Sequence, residues 1–141
     1  MKLLLDTHLL LWAAAGTLPK KAKELITDEK NTLLFSAASI WEIVIKNSLG
    51  RLDFQIDAYM LHNGLLNNGY VEIAIDSYHS LATGKLPLIH KDPFDRVLVV
   101  QAQAEKATLL TCDKILTNYP CSVLYVKRPK QASTARSFPK S

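Results

Sequence analysis

Three leucines that run straight into an acid, Lys2-Leu3-Leu4-Leu5-Asp6-Thr7-His8, constrain this chain more than any other stretch. A strand without polar alternation needs cover on both faces, as in a parallel sheet packed between helices. In open sheets of that kind, ligands sit outside the carboxyl ends of the strands. Asp6 therefore stands where chemistry is done, and what matters next is which other side chains arrive beside it.

Further along, short apolar runs alternate with helical segments. The pattern predicts strands at Thr32–Ser36, Tyr70–Ile75, Thr108–Thr111 and Ser122–Val126. Between them it predicts helices over Thr7–Ala15 with Gly16 closing, from Leu18-Pro19 onward, and over Ala37–Leu49 with Gly50 as the stop. Gln55–Asn68 and Asp76–Thr83 are also expected to be helical, as is a segment from Asp92 to about Lys106 with Pro93 at its first position. Strands alternating with helices throughout mean an α/β fold: a parallel sheet of four to five strands flanked by helices. One domain over residues 1–126 accounts for all of these elements.

The net charge of +4 does not belong to that domain. Residues 127–141 hold Lys127, Arg128, Lys130, Arg136 and Lys140 and no acid; the remaining 12 basic residues face all 13 acids. The folded part is thus nearly neutral, and its basicity is confined to a Pro-, Ser- and Lys-rich tail expected to be disordered. No apolar run approaches the roughly 18 residues of a membrane span, and the N-terminus is too soon charged for a secretory signal, so the cytoplasm is the expected compartment. Cys112 and Cys121, with no histidine at metal-ligand spacing, are expected as free thiols.

Four acids are predicted to converge on one end of the sheet. Asp6 and Asp113 each follow a strand, Glu42 lies in the first turns of the helix after the second strand, and Asp95 lies in the first turn of the helix before the fourth. Carboxylates crowded into one cleft raise each other's pKa unless a cation sits among them. Oxygen ligands alone favour Mg²⁺ or Mn²⁺, and the chemistry such a site serves best is attack of metal-bound water on a phosphodiester. Structural uses compete for the same residues. Ser39-Ile40-Trp41-Glu42 has the spacing of a capping box, Asp92-x-x-Asp95 resembles a weaker one, and Asp113 is placed to cap a short helix behind the fourth strand. Asp6 has no evident structural use, and it is the agreement of four acids that favours a site.

The segments Leu3-Leu4-Leu5-Asp6-Thr7-His8, Ser39-Ile40-Trp41-Glu42-Ile43, Asp92-Pro93-Phe94-Asp95-Arg96 and Leu110-Thr111-Cys112-Asp113, in this order and spacing, resemble the PIN-domain nucleases. The branch they resemble is the VapC-type toxins of bacterial toxin–antitoxin pairs. The resemblance implies an endoribonuclease dependent on Mg²⁺ or Mn²⁺, with Asp6, Glu42, Asp95 and Asp113 in the acidic positions and Asp6 and Asp95 as the direct metal ligands. It also implies an RNA substrate, a homodimer, and an antitoxin that reaches into the acidic cleft. Cys112 departs from the family, which often has Arg or Ala before the last acid.

Other side chains divide between roles. Lys46 and Arg96 each share a helix with a proposed acid and are candidates for phosphate contacts. His8 is expected to be structural, His62, His79 and His90 show no mutual spacing that suggests a site, and Trp12 and Trp41 are expected in the core. Two other phosphoryl-transfer classes fit less well. Haloacid-dehalogenase-like phosphatases need a second Asp where His8 stands, and a receiver domain wants paired acids after its first strand. A catalytically silent PIN-like scaffold is the remaining alternative.

Overall fold

The computed structural model describes residues 1–50 and 56–128. The strands are β1 (Lys2–Leu5), β2 (Thr32–Ser36), β3 (Val71–Ile73), β4 (Thr108–Thr111) and β5 (Val123–Tyr125). They form one sheet in the order β3-β2-β1-β4-β5, with every pairing parallel. The helices are α1 (Thr7–Ala15), α2 (Lys20–Thr27), α3 (Ala37–Ser48), α4 (Ala58–Asn67), α5 (Ser77–Thr83) and α6 (Pro93–Glu105), with a 3₁₀ turn over Lys114–Asn118. The expected α/β class and parallel sheet are thus present.

The leucine run explains the layering. Successive strand residues point to opposite faces. Leu3 and Leu5 join Phe35 and Leu110 in a core built with Leu9, Leu10 and Trp12 of α1, Ile43 of α3, and Leu61 and Leu65 of α4. Leu4 joins Leu34 and Leu109 on the other face, against Leu98, Val99 and Val100 of α6 and Leu116 of the 3₁₀ turn. Both faces of β1 are covered, which is why its sequence carries no alternation.

Strand order decides where the chemistry falls. The chain runs β1 to β2 to β3 outward on one side, then returns to place β4 on the other side of β1. The gap between β1 and β4 is therefore the topological switch point, where an open parallel sheet leaves a crevice at its carboxyl edge. Asp6 comes directly after β1, and Asp113 two residues beyond the end of β4.

Local details depart from the sequence expectations. Ser36 caps α3, its hydroxyl accepting from Ala38 N–H, so the Ser39–Glu42 capping box does not exist and Glu42 lies inside the helix. The third strand is only Val71–Ile73. The helix expected over Gln55–Asn68 begins at Ala58, capped by Asp57; Gln55 lies outside the described residues. Asp92 caps α6 through Phe94 N–H, but Asp95 does not complete a box. Val126 is buried, and its N–H donates to Thr111 O. Of the proposed tail, Lys127 and Arg128 are exposed, and residues 129–141 lie outside the described residues.

Core and surface leucines should separate cleanly. Leu110→Ala, at a fully buried position of β4, should cost about 2–5 kcal/mol. Leu88→Ala, at a position 93% exposed, should change stability by less than about 0.5 kcal/mol. Urea denaturation of the two variants measures the difference.

Candidate active site

Asp6 is only 3% exposed, and its carboxylate is held by three donors. Leu9 N–H reaches Oδ1 at 3.0 Å, making Asp6 the N-cap of α1, while Thr111 Oγ1 and Cys112 N–H reach Oδ2. The acid that seemed to lack a structural use therefore has one. Its second oxygen is turned toward β4. Burial pushes its carboxyl above the usual range, opposed by His8, the Thr111 hydroxyl and the two N–H groups.

Thr111 couples two of the proposed acids. Its hydroxyl donates to Asp6 and accepts from Asp113 N–H at 3.0 Å. Asp113 caps the 3₁₀ turn through Ile115 N–H at 3.0 Å with Oδ1, which leaves Oδ2 for the cleft. That oxygen meets His90 Nε2 at 2.9 Å, and the same nitrogen lies 3.2 Å from Asp95 Oδ2. Asp92 N–H donates to His90 Nδ1 at 3.1 Å, so the ring proton sits on Nε2, aimed at both carboxylates. His90 is the residue that sequence spacing missed; its position just before the Asp92 cap was the available signal.

Glu42, 4% exposed, is neutralised within its own helix. Lys46 Nζ lies 2.7 Å from Oε2, and Thr7 Oγ1 donates to Oε1 at 2.6 Å, with Ser39 Oγ 2.9 Å from that hydroxyl. Lys46 thus serves Glu42. Arg96 does not face the cleft as a free cation: it donates to the carbonyls of Thr83 (2.6 Å), Pro87 (3.1 Å) and His90 (3.3 Å). This geometry makes it a clamp for the loop that carries His90.

Asp95 feels the whole arrangement. Burial first, then the charges of Asp92, Asp6, Glu42 and Asp113, push its carboxyl up to about 8. Among the described residues, two sets hold three ligand atoms within 4.8 Å of one another: His90, Asp95 and Asp113, and Asp6, His8 and Cys112. The four acids therefore share one electrostatic neighbourhood without all being close enough to form one ligand set. His8 was separated from the cysteines in sequence, yet β1 and β4 bring it to Cys112. Its pKa is lowered, chiefly by burial, and the Cys112 thiol is pushed up to about 12 by burial and by Asp6. Both cysteines are free.

The two tryptophans part company. Trp12 is buried as expected, but Trp41 is 58% exposed, one residue from Glu42. The helical stripe that suggested a core position for Trp41 is narrower than the sequence implied, because Val44 is also exposed.

Residues 3–120 match the PIN domain. The chain belongs to the PIN domain family. Among solved structures, VapBC2 from Rickettsia felis, bound to a DNA fragment from its promoter, is similar at a TM-score of 0.70 and 18% identity, over 90% of this chain and 100% of that one. DNA-bound VapBC from Salmonella typhimurium is similar at 0.63 and 11% identity, over 89% and 98% of the two chains. VapBC-1 from nontypeable Haemophilus influenzae is similar at 0.60 and 18%, again over 89% and 98%. No curated protein sequence is a significant match. Among the described residues of this PIN domain, no helix is long and apolar enough to cross a membrane.

The elevated Asp95 carboxyl has a measurable consequence in metal-free protein. Its folded-state pKa lies above its unfolded value, so its contribution to stability is full below about pH 4 and is lost as pH rises toward about 8. Asp95→Asn mimics the protonated form. In EDTA the variant should match the wild type at pH 4 and exceed it by on the order of 1–3 kcal/mol at pH 8. Chemical denaturation across that pH range tests the sign.

Proposed function

We propose that this PIN domain is a metal-dependent endoribonuclease acting as the toxin of a VapC-type toxin–antitoxin pair. The observation that carries this reading is the shortage of positive charge around four converging carboxylates. Among the described residues, one permanently charged side chain, Lys46, meets these acids at ion-pair distance, and it is taken by Glu42. The neighbourhood demands a cation, and its carboxylate oxygens suit Mg²⁺ or Mn²⁺. Asp6 and Asp95 would hold it directly, with Asp113, and Glu42 behind its lysine, completing the field. When bound, such a cation supplies an activated water and stabilises charge on a phosphodiester.

The remaining tasks fall to groups of the chain itself. Leu9 N–H, Cys112 N–H and Thr111 Oγ1 fix the Asp6 carboxylate, so it is preorganised rather than mobile. His90 holds the second oxygen of Asp113 and faces Asp95, keeping both turned to the cleft. Arg96 secures the backbone behind His90.

The antitoxin is expected from the same electrostatics. An exposed acidic cleft complements an Arg or Lys side chain from a partner, a charge-assisted contact that would exclude the metal. The similar folds of VapBC toxin–antitoxin structures support such a partner; the assembly it would silence is proposed to be a homodimer. The cytoplasm, where RNA and partner both lie, is the compartment this reading requires.

Cleavage of mixed RNA with Mg²⁺ or Mn²⁺, and its loss in EDTA, tests the activity. Cleavage that persists in EDTA, or none with either metal, would remove the reading. Expression alone should be toxic and relieved by a neighbouring small protein.

Asp95 and Asp92 share a helix start but should behave differently. Asp95→Asn removes charge from the cleft and should lower cleavage at least a hundredfold while the fold survives, a loss of about 3 kcal/mol in transition-state stabilisation. Asp92→Asn keeps a good cap. It also removes the largest neighbouring charge that raises the Asp95 carboxyl, so cleavage should stay within a few-fold of wild type and its pH profile should move to lower pH. Equal losses in the two variants would show that both acids hold the metal.

A further inference from the structure

His8 and Cys112 take no part in the reading above, yet they meet beside Asp6. His8 lies in the first turn of α1 and Cys112 just past β4. One ligand atom from each of the three residues lies within 4.8 Å of the others. The pairing of β1 with β4 brings them together, so the cluster is a product of the fold. Cys112 is only 6% exposed, and among the described residues its thiol has no hydrogen-bond partner, nor has the His8 imidazole. A buried free thiol is usually a small hydrophobe of the core. A core thiol, however, needs neither an imidazole nor a carboxylate beside it. Asp6 also has capacity to spare: its Oδ1 accepts from Leu9 N–H alone, and a carboxylate oxygen has two lone pairs.

We propose that Asp6, His8 and Cys112 form a binding site for Zn²⁺, and that zinc held there inhibits the cleft by taking the Asp6 carboxylate. A thiolate and an imidazole are donors that suit zinc, whereas Mg²⁺ takes oxygen. Tetrahedral zinc holds such atoms roughly 3.4–3.6 Å apart, so small side-chain rotations bring the three onto one ion. Three protein ligands leave the fourth position to water, as in open zinc sites. Asp6 and Cys112 are buried and form the floor, and the partly exposed His8 marks the entry side. As the Zn–S bond forms, the Cys112 thiol passes its proton to solvent. Arg128 opposes a cation here. Its guanidinium carbon lies 5.9 Å from the centroid of the Trp12 ring, and its charge reaches both His8 and Cys112. Lys46 opposes it less, and Glu42 offsets Lys46. Arg128 is exposed, so its side chain swings into water at little cost when zinc arrives. Coordination stands on these residues alone; the inhibition rests on the reading of the cleft as a nuclease site.

The test titrates the reduced, metal-free full chain with Co²⁺, the spectroscopic substitute for Zn²⁺, and reads Zn²⁺ affinity by competition with a chromogenic chelator. The wild type should develop a near-ultraviolet thiolate-to-cobalt charge-transfer band that Zn²⁺ abolishes. Cys112→Ala should lose the band and at least about a hundredfold in Zn²⁺ affinity, since even an outer partner of a metal ligand is worth about 10–100-fold. His8→Ala should bind Zn²⁺ at least about tenfold more weakly. Cys121→Ala should keep both band and affinity, and Arg128→Ala should bind Zn²⁺ more tightly. If circular dichroism shows that Cys112→Ala does not fold, Cys112→Ser, closer in size and polarity, serves in its place. In Mg²⁺-supported cleavage, Zn²⁺ should inhibit the wild type. Cys112→Ala should need at least about tenfold more zinc, each protein being compared with its own zinc-free rate. No band in the wild type, a band that survives in Cys112→Ala, or a Zn²⁺ affinity that falls only in His90→Ala overturns the site. A band without inhibition overturns the inhibitory role. A band with no cleavage by zinc-free protein in Mg²⁺ or Mn²⁺ would instead overturn the nuclease reading and leave the zinc site standing.

Discussion

Everything at the carboxyl edge of this sheet depends on keeping an acid ionisable where burial opposes its charge. Asp6 sits at the end of a strand covered on both faces, with almost no access to water. Two backbone N–H groups and one hydroxyl replace the lost hydration. Those donors come from α1 and from the β4 edge, so the carboxylate is stable only when the parallel pairing of β1 with β4 is in register. Fold and site are therefore the same requirement. A slip of one residue in that pairing would reverse the leucines and remove the Thr111 hydroxyl together.

Thr111 shows how the sheet passes this requirement on. Its hydroxyl is the junction between the Asp6 carboxylate and the Asp113 backbone. Asp113 in turn is fixed at one oxygen by its own cap and at the other by His90. His90 is held by Asp92 N–H at its far nitrogen, and the loop beneath it is clamped by Arg96. The path from β1 to α6 is thus a chain of hydrogen bonds in which each member orients the next. Deleting Arg96 would act on the cleft through His90.

Much of this was legible in the sequence, and the boundary of legibility is physical. Leu3-Leu4-Leu5 pointed to a doubly covered strand because a strand without polar alternation needs cover on both faces. The positions of Asp6 and Asp113 came from strand ends, and those of Asp95 and Asp92 from Pro93, which marks a helix start. Side-chain direction was not legible. Ser39 and Glu42 had the right spacing for a cap, but Ser36 sat one turn earlier and took that role. Trp41 looked apolar enough for the core, yet its place on α3 turns it to solvent. His90 and the meeting of His8 with Cys112 depend on loops and on strands far apart in sequence, which no local spacing encodes. Arg96 beside an acid suggested phosphate, but carbonyl oxygens of the preceding loop lie within its reach.

The four acids are not equivalent once their counter-charges are compared. Glu42 has a lysine at 2.7 Å and a hydroxyl at 2.6 Å, so its charge is answered within the chain. Asp113 has a backbone N–H on one oxygen and the His90 N–H on the other. Among the described residues, Asp6 has donors but no cation in ion-pair contact, and Asp95 has only a share of His90, at the longer 3.2 Å. Burial pushes both Asp6 and Asp95 toward neutrality, and carboxylates that lack an internal cation gain most from an external one. The unanswered charge is concentrated on Asp6 and Asp95, and that imbalance is the physical ground for proposing these two as direct metal ligands, with supporting roles for Glu42 and Asp113.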